Sequence, residues 1–178
     1  MIDYFVKSRS MREIRNVVNF IKKEFGFYNN LKFPVIDFFE KILPEIFEDY
    51  RFIYVEDDEL EGMEAYTDHY SKLVKIKISV YENALKGKSK DLFTIAHEIG
   101  HLFLHDEEAR IFARTNERFS SYKSAEWQAN YFAAELLMGS HLILDMSIEE
   151  IVKACNVSKK SALIQLKHAK EEREKGLL

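Results

Sequence analysis

The stretch His97-Glu98-Ile99-Gly100-His101 carries the strongest indication of fold and chemistry in this chain. It lies in an amphipathic segment that we predict to be a helix from about Asp91 to His105. Residues four apart in a helix project from the same face, about 6 Å apart along the axis. The two imidazoles can therefore bind one zinc ion, at bond lengths of about 2.0–2.1 Å.

Glu98 directly follows the first of these histidines. In an H-E-x-x-H motif the carboxylate acts on the water that the metal activates, not on the metal. Zinc lowers the pKa of that water to near neutrality, and the carboxylate accepts its proton during attack on a peptide carbonyl. We therefore predict that Glu98 is a catalytic base. The alternative is that both histidines only decorate a surface or core helix.

Gly100 stands inside the predicted helix, where glycine costs about 1 kcal/mol relative to alanine. A helix that needed only packing gains nothing from this residue. We interpret the missing side chain as space beside the metal.

A catalytic zinc site needs a third protein ligand and an open position. A third histidine six residues after His101 would define one arrangement, but that residue is Glu107, so this arrangement is excluded. The leading candidate is Glu126, near the start of a predicted helix from Ala125 to Met138. Its neighbours are mainly apolar, and a carboxylate there is costly unless it is paired or bound to a cation. The alternative is an ordinary first-turn glutamate, favoured by the helix dipole.

Two other residues compete with Glu126 as the third ligand. His105 is four residues after His101, but three histidines in a row on a helix drift by about 80° from first to last, so it is better suited to lining the site. Glu135 lies more than two turns beyond Glu126. Asn130, one turn after Glu126, can accept a hydrogen bond from the outer N–H of a ligating histidine.

The hydrophobic periodicity of the rest of the chain predicts an α+β domain with a small mixed sheet and a C-terminal helical extension. We place the core at residues 1–140 and the extension at residues 141–178. The strand with the clearest alternation runs from Leu73 to Tyr81, and its lysine-bearing face favours an edge position. Other predicted strands are Arg51 to Glu56 and Glu64 to Thr67; other predicted helices are Ser10 to Phe25, Pro34 to Leu43, Ser147 to Cys155 and one from Ser158.

Composition limits the function classes. Of the 178 residues 47% are hydrophobic, which is enough for a core, and the net charge of −4 gives no general affinity for nucleic acid or anionic lipid. Cys155 is the only cysteine, which favours a reducing compartment. We find neither a signal peptide in Met1 to Lys7 nor a membrane-spanning run, and we expect a cytoplasmic protein with no membrane partner.

The two motifs together resemble a known family. The stretch from His97 to His105, followed by Glu126-Trp127-Gln128-Ala129-Asn130-Tyr131-Phe132-Ala133, is similar to the H-E-x-G-H and E-x-x-A-N-x-F-A pair of the ImmA/IrrE-type metallopeptidases. The resemblance covers about residues 91–138. It implies a compact, thermolysin-like zincin core.

The resemblance also implies a site and a substrate. It assigns His97, His101 and Glu126 as zinc ligands and Glu98 as the base. Members of the family occur in bacteria, phages and mobile elements, and the characterised ones relieve repression by cleaving a helix-turn-helix repressor, often encoded beside them. The expected partner is therefore a protein substrate of that kind.

Several assignments stay open at the level of sequence. An oxyanion-stabilising partner is expected, and Tyr66, His69, Tyr70, Tyr122 and His141 are all candidates. We expect substrate to add as a strand beside Leu73 to Tyr81.

The segment from Ser147 to Lys170 resembles a helix-turn-helix, but a helical cap packed on the core is the favoured interpretation and direct nucleic-acid binding is not expected. The rival functions are a DNA-binding regulator that uses these C-terminal helices and a non-proteolytic, zinc-stabilised module that binds a repressor or toxin.

Overall fold

A computed structural model describes residues 6–105 and 121–178 of the chain. The first helix, α1, spans Met11–Glu24 and begins at Ser10, which forms a capping box with Glu13. Its apolar stripe is buried, with Ile14 and Val18 fully inaccessible. The amphipathic pattern predicted this helix, and the structure confirms it.

The segment from Pro34 to Leu43 is less regular than expected. It contains a short helix α2 (Val35–Asp37), a π-helical turn (Phe38–Ile42) and a short helix α3 (Leu43–Ile46). Pro44 lies in the first turn of α3, where its missing N–H is tolerated. A π turn therefore interrupts the predicted helix, and the chain begins a new helical turn at Leu43.

Three short strands form one mixed sheet. They are β1 (Arg51–Val55), β2 (Ala65–Asp68) and β3 (Leu73–Lys77), in the order β1-β3-β2. β3 pairs parallel with β1 and antiparallel with β2.

The prediction of an edge strand from Leu73 to Tyr81 is therefore wrong in two respects. β3 is the central strand, and the chain leaves it at Lys77 to form helix α4 (Ile78–Leu85). Alternation shows only that one face of a strand is covered, and central strands share that property with edge strands. Ile78 and Val80 extend the alternation into residues that a helix uses equally well.

The centre of the domain is a pair of long helices, α5 (Ser89–Leu104) and α6 (Ala125–Leu137). Ser124 caps α6 by accepting a hydrogen bond from the Trp127 amide. α5 also packs against β2, so one helix faces both the sheet and α6. The connection predicted from Asp106 to Lys123 lies mostly outside the described residues; its last residues, Ser121–Lys123, form a 3₁₀ turn.

The C-terminal part comprises α7 (Ser140–Ile143), α8 (Ile148–Cys155) and α9 (Lys159–Glu174). Ser147 and Glu150 form a capping box at the start of α8. Glu172 of α9 makes a buried ion pair with Arg15 of α1 and accepts a 3.2 Å hydrogen bond from the Tyr131 hydroxyl of α6. These contacts hold α9 against the helices of the domain; the division at residue 140 stays a prediction. Among the described residues, no helix has both the length and the apolar character needed to cross a membrane.

Candidate metal centre

Three side chains from α5 and α6 converge on one point. The Nε2 atoms of His97 and His101 are 2.9 Å apart. Glu126 approaches both of them, with Oε2 3.4 Å from His97 Nε2 and Oε1 3.5 Å from His101 Nε2. The two histidines are buried and Glu126 is half-buried. The structure thus brings together the three residues that the sequence nominated as ligands.

The geometry and chemistry of these donors fit zinc. In a tetrahedral site with bonds of about 2.05 Å, two ligand atoms lie about 3.3 Å apart. Both histidine–glutamate separations are close to this value, and the histidine–histidine separation is slightly shorter. Two imidazoles and one carboxylate are also the donor set of zinc sites that keep a position open for water.

The electrostatics favour a carboxylate that stays charged. Burial raises the pKa of Glu126, but hydrogen bonds from His101 and His97 outweigh it and lower that pKa to about 2. Burial lowers the pKa of His97, yet the contacts with Glu126 and the charge of Glu98 raise it overall. Glu126 is therefore ionised at neutral pH, which suits a residue that would bind a cation.

Gly100 sets the distance between the two helices that carry the ligands. A β-carbon there would lie 3.1 Å from the Ala129 α-carbon and 3.2 Å from the Ala129 carbonyl oxygen. The missing side chain makes room for the backbone of α6 and not for the metal. Our interpretation of Gly100 as space beside the metal was therefore wrong. Ala129 is one turn after Glu126, and the close approach brings Glu126 within reach of the histidines.

Glu98 is buried beside the cluster, with 1% of its surface exposed. Thr67 of β2 donates a 2.6 Å hydrogen bond from Oγ1 to Glu98 Oε2. The other oxygen, Oε1, has no hydrogen-bond partner among the described residues. One oxygen is thus fixed and the other is available to accept a proton. Thr67 was not predicted from the sequence. A threonine on the buried face of a short strand could have indicated it, because a buried hydroxyl needs a hydrogen-bond partner.

A second layer of polar groups surrounds the histidines. His105 Nδ1 lies 3.0 Å from His101 Nδ1, and its Nε2 lies 3.3 Å from Gln128 Oε1. Burial and the charge of His101 lower the pKa of His105 to about 2, so this ring is neutral. His105 contacts a candidate ligand from behind, on the side away from Glu126, which agrees with a lining role. The side chain of Asn130 lies close enough to His97 to raise the pKa of that imidazole, which suits the acceptor role expected from the sequence.

The rival Glu135 lies elsewhere. It is fully buried and accepts hydrogen bonds from Ser140 N (2.9 Å) and Ser140 Oγ (2.6 Å). Gln165 Nε2 donates a third hydrogen bond to it, at 2.6 Å. Glu135 therefore anchors α7 and α9 to α6 and does not join the cluster.

The candidates for oxyanion stabilisation are dispersed. His69 Nδ1 lies 2.7 Å from the Tyr50 hydroxyl, Tyr122 packs edge-on against Trp127, and Tyr70 is 79% exposed. His141 stacks on Tyr28 and hydrogen-bonds to its carbonyl oxygen. Tyr66 of β2 lies opposite Lys75 in the sheet. None of these contacts selects one candidate.

A cleft of about 260 Å³ opens over the cluster. His97, Glu98 and Glu126 line its floor, and Glu64 and Ala65 at the start of β2 line one wall.

Comparison with known proteins agrees with this geometry. The profile of the peptidase M78 family, described as an IrrE N-terminal-like domain, matches residues 51–167. The chain belongs to this family. The match to peptidase M78 spans all three strands and both helices that carry the cluster, and it bears out the ImmA/IrrE resemblance.

The other comparisons add little to the M78 assignment. A search of curated proteins finds no significant match. Among solved structures, a Mycobacterium tuberculosis transcriptional regulator is similar with 15% identity and a TM-score of 0.40. The alignment covers 85% of this chain and 49% of that one, so the chain spans about half the length of this regulator.

Proposed function

We propose that this M78 protein is a zinc-dependent endopeptidase with a zincin-type core. His97, His101 and Glu126 hold the zinc, and Glu98 is the general base. The proposal rests on the convergence of two imidazoles and one carboxylate in an open cleft. Beside them lies the buried Glu98, which has one oxygen without a hydrogen-bond partner among the described residues.

The metal and the side chains divide the chemistry. When bound, zinc would polarise a water and the scissile carbonyl and so make hydrolysis possible near neutral pH. Thr67 fixes Glu98 by its Oε2 atom, which leaves Oε1 to take a proton from the attacking water and to pass it to the departing amine. The low exposure of Glu98 excludes competing solvent and strengthens these interactions.

The substrate path uses β2 and not the strand named from sequence. β2 is at one end of the sheet order, and Ala65 and Glu64 at its start line the cleft. A peptide that adds to the outer side of β2 as a further strand would pass over the metal cluster. Binding of this kind uses hydrogen bonds between the backbones of β2 and the substrate. These bonds alone give no preference for the substrate sequence.

The substrate class follows from the family resemblance alone. We propose a helix-turn-helix transcriptional repressor, with an antirepressor role for the protein. A cytoplasmic location suits that role and agrees with the single cysteine, Cys155.

The test is the Glu98→Gln variant, assayed for cleavage of a repressor encoded beside this protein. Because the substitution is nearly isosteric, zinc content should stay near one equivalent while cleavage falls below detection. Glu64→Gln is the matched control, since Glu64 lines the same cleft but pairs with Lys90. Wild-type cleavage rates in Glu98→Gln would remove the assignment of the base. Relief of repression by Glu98→Gln without cleavage would favour the non-proteolytic binding module instead.

A further inference from the structure

A second pocket adjoins the cleft and has no role in the chemistry described above. This side pocket, of about 230 Å³, lies between α5, α6 and α9. Its principal lining residues are Phe93, Trp127, Tyr131, Ile164, Gln165 and His168. Phe93 and Asn130 line both the side pocket and the catalytic cleft, so the two spaces are next to each other.

The walls of the side pocket suit an aromatic ring. Trp127 and Tyr131 are stacked, with ring centroids 5.9 Å apart, and Phe93 and Ile164 supply further apolar surface. Apolar cavities of about 150 Å³ already accept benzene, so this volume holds one ring and its substituent. An aromatic side chain that leaves a peptide bound in the cleft can therefore enter beside Phe93.

The polar groups of the pocket select among aromatic residues. Gln165 is 1% exposed, and its Nε2 donates to Glu135 Oε2 (2.6 Å) and to Ser140 Oγ (3.1 Å). These two bonds fix the orientation of the amide, and Oε1 is left without a partner among the described residues. A buried acceptor of this kind is costly unless a ligand supplies a donor. His168 Nδ1 is likewise buried without a partner in the part of the chain that the structure describes.

We propose that the side pocket is a specificity site for a tyrosine side chain of the substrate. The phenol ring packs between Trp127 and Ile164, and its hydroxyl donates to Gln165 Oε1 and accepts from the N–H at His168 Nδ1. A hydroxyl both donates and accepts, which phenylalanine cannot do. This inference rests on the proposed peptidase function, because only a peptidase has a substrate side chain to select. The binding of a phenol can nevertheless be measured without any cleavage.

The binding experiment uses the only tryptophan of the chain, Trp127, which lines the pocket. The full-length protein is titrated with p-cresol, the side-chain analogue of tyrosine, and with toluene, the analogue of phenylalanine. Fluorescence is excited at the red edge of the indole band, where neither ligand absorbs. We expect saturable quenching by p-cresol, with a Kd at least about fivefold lower than that of toluene, since toluene forms neither of the two hydrogen bonds that the p-cresol hydroxyl makes. Absence of saturable quenching, or equal Kd values, would overturn the proposal.

Two substitutions on α9 localise the binding. Ile164→Phe fills the pocket from its rim, and Leu163→Phe places the same ring on the neighbouring residue, which does not line the pocket. Both positions are about half exposed, at 47% and 50%, so both variants should fold. Ile164→Phe should raise the Kd for p-cresol at least about tenfold, and Leu163→Phe should leave it unchanged. Equal behaviour of the two variants would place the binding elsewhere and overturn the proposal.

A cleavage experiment then separates the two hypotheses. A library of proteome-derived peptides, prepared without trypsin, is treated with zinc-loaded protein. The cleaved sites are then identified by mass spectrometry. Tyrosine should be enriched at one position near the scissile bond with the wild type and with Leu163→Phe, but not with Ile164→Phe. Cleavage without any tyrosine preference would overturn the side-pocket proposal and leave the peptidase assignment intact. Retained p-cresol binding with no cleavage of any substrate would instead refute the peptidase function alone.

Discussion

Thr67 Oγ1 lies 2.6 Å from Glu98 Oε2 and joins the sheet to the helix that bears the H-E-x-x-H motif. Thr67 and Glu98 are both buried, and they are 31 residues apart in sequence. The bond fixes the carboxylate relative to β2, the strand beside which we place the substrate. The base and the path of the peptide are therefore positioned by the same contact.

Removing this contact should impair catalysis more than metal binding. Thr67→Val keeps the shape of the side chain and removes the hydroxyl, so Glu98 loses the bond that orients it. We expect kcat for a fluorogenic peptide substrate to fall about 10- to 100-fold, because small misplacements of a catalytic group have effects of this size. The unfolding free energy should fall by about 1–3 kcal/mol, since a buried acceptor loses its donor.

Thr67→Ser is the control, because it keeps the hydroxyl. It should retain most of the activity, and zinc content should be unchanged in both variants. A Thr67→Val protein with the wild-type kcat would show that Glu98 is held in place by other groups.

Zinc binding should stabilise the fold through Glu126. At zinc concentrations about 100-fold above Kd, binding adds about 2.7 kcal/mol. For a chain of this length that corresponds to a rise in Tm of roughly 5–10 °C over the chelator-treated protein. Glu126→Gln should shrink the rise, because each tenfold loss of affinity removes about 1.4 kcal/mol.

Differential scanning calorimetry with and without a chelator measures both effects. Glu64→Gln lines the same cleft and should show the full zinc-dependent rise. A full rise in Glu126→Gln as well would exclude Glu126 as a ligand and return His105 to consideration.

The close approach at Gly100 should be sensitive to a single methyl group. In Gly100→Ala the new carbon meets backbone atoms of Ala129 at 3.1–3.2 Å, so α5 and α6 must separate. Overpacking of this kind costs about 1–3 kcal/mol, against a helix-propensity gain of about 1 kcal/mol, so a net loss of stability is expected. Zinc affinity, measured by competition with a chromogenic chelator, should also fall because Glu126 moves with α6.

Gly26→Ala provides the control for this variant. Gly26 has a φ of +75° and no atom within 4 Å of the added methyl, so alanine there introduces backbone strain without moving the helices. It should lower stability and leave zinc affinity unchanged. An unaltered zinc affinity in Gly100→Ala would mean that the site tolerates the displacement.

Lys22 should make stability depend on pH above neutrality. It is fully buried, and burial lowers its pKa from the ordinary value of 10.5 to about 8. Between pH 8 and 10.5 the unfolded chain binds more protons at this residue than the folded chain does. The contribution of Lys22 to the unfolding free energy therefore rises with pH across this window.

Lys22→Met should remove this dependence. We expect the variant to be more stable than the wild type at pH 7, by up to about 3 kcal/mol, and the difference to shrink by pH 10. Urea denaturation at the two pH values measures it, and comparison between the proteins cancels the groups that titrate in the same range independently of Lys22. A stability difference that is constant with pH would show that Lys22 stays charged throughout.

The site was more predictable from sequence than the sheet. His97, His101 and Glu126 were nominated from helical spacing and from the cost of a carboxylate among apolar neighbours, and the structure brings their donor atoms together. Helix periodicity is local, so α1, α5 and α6 follow from short-range patterns. The order of the strands is a long-range property, and the alternation in Leu73 to Tyr81 was equally compatible with the central position that β3 occupies.

The sequence alone determined which residues can act on a metal, because four residues of helix return two imidazoles to one face whatever surrounds them. Only the tertiary structure decided how close the second helix comes, which oxygen of Glu98 is fixed, and that β2 borders the cleft. Those relationships depend on contacts between segments tens of residues apart, whose geometry is set by the packing of backbones and side chains and is not encoded in any local pattern.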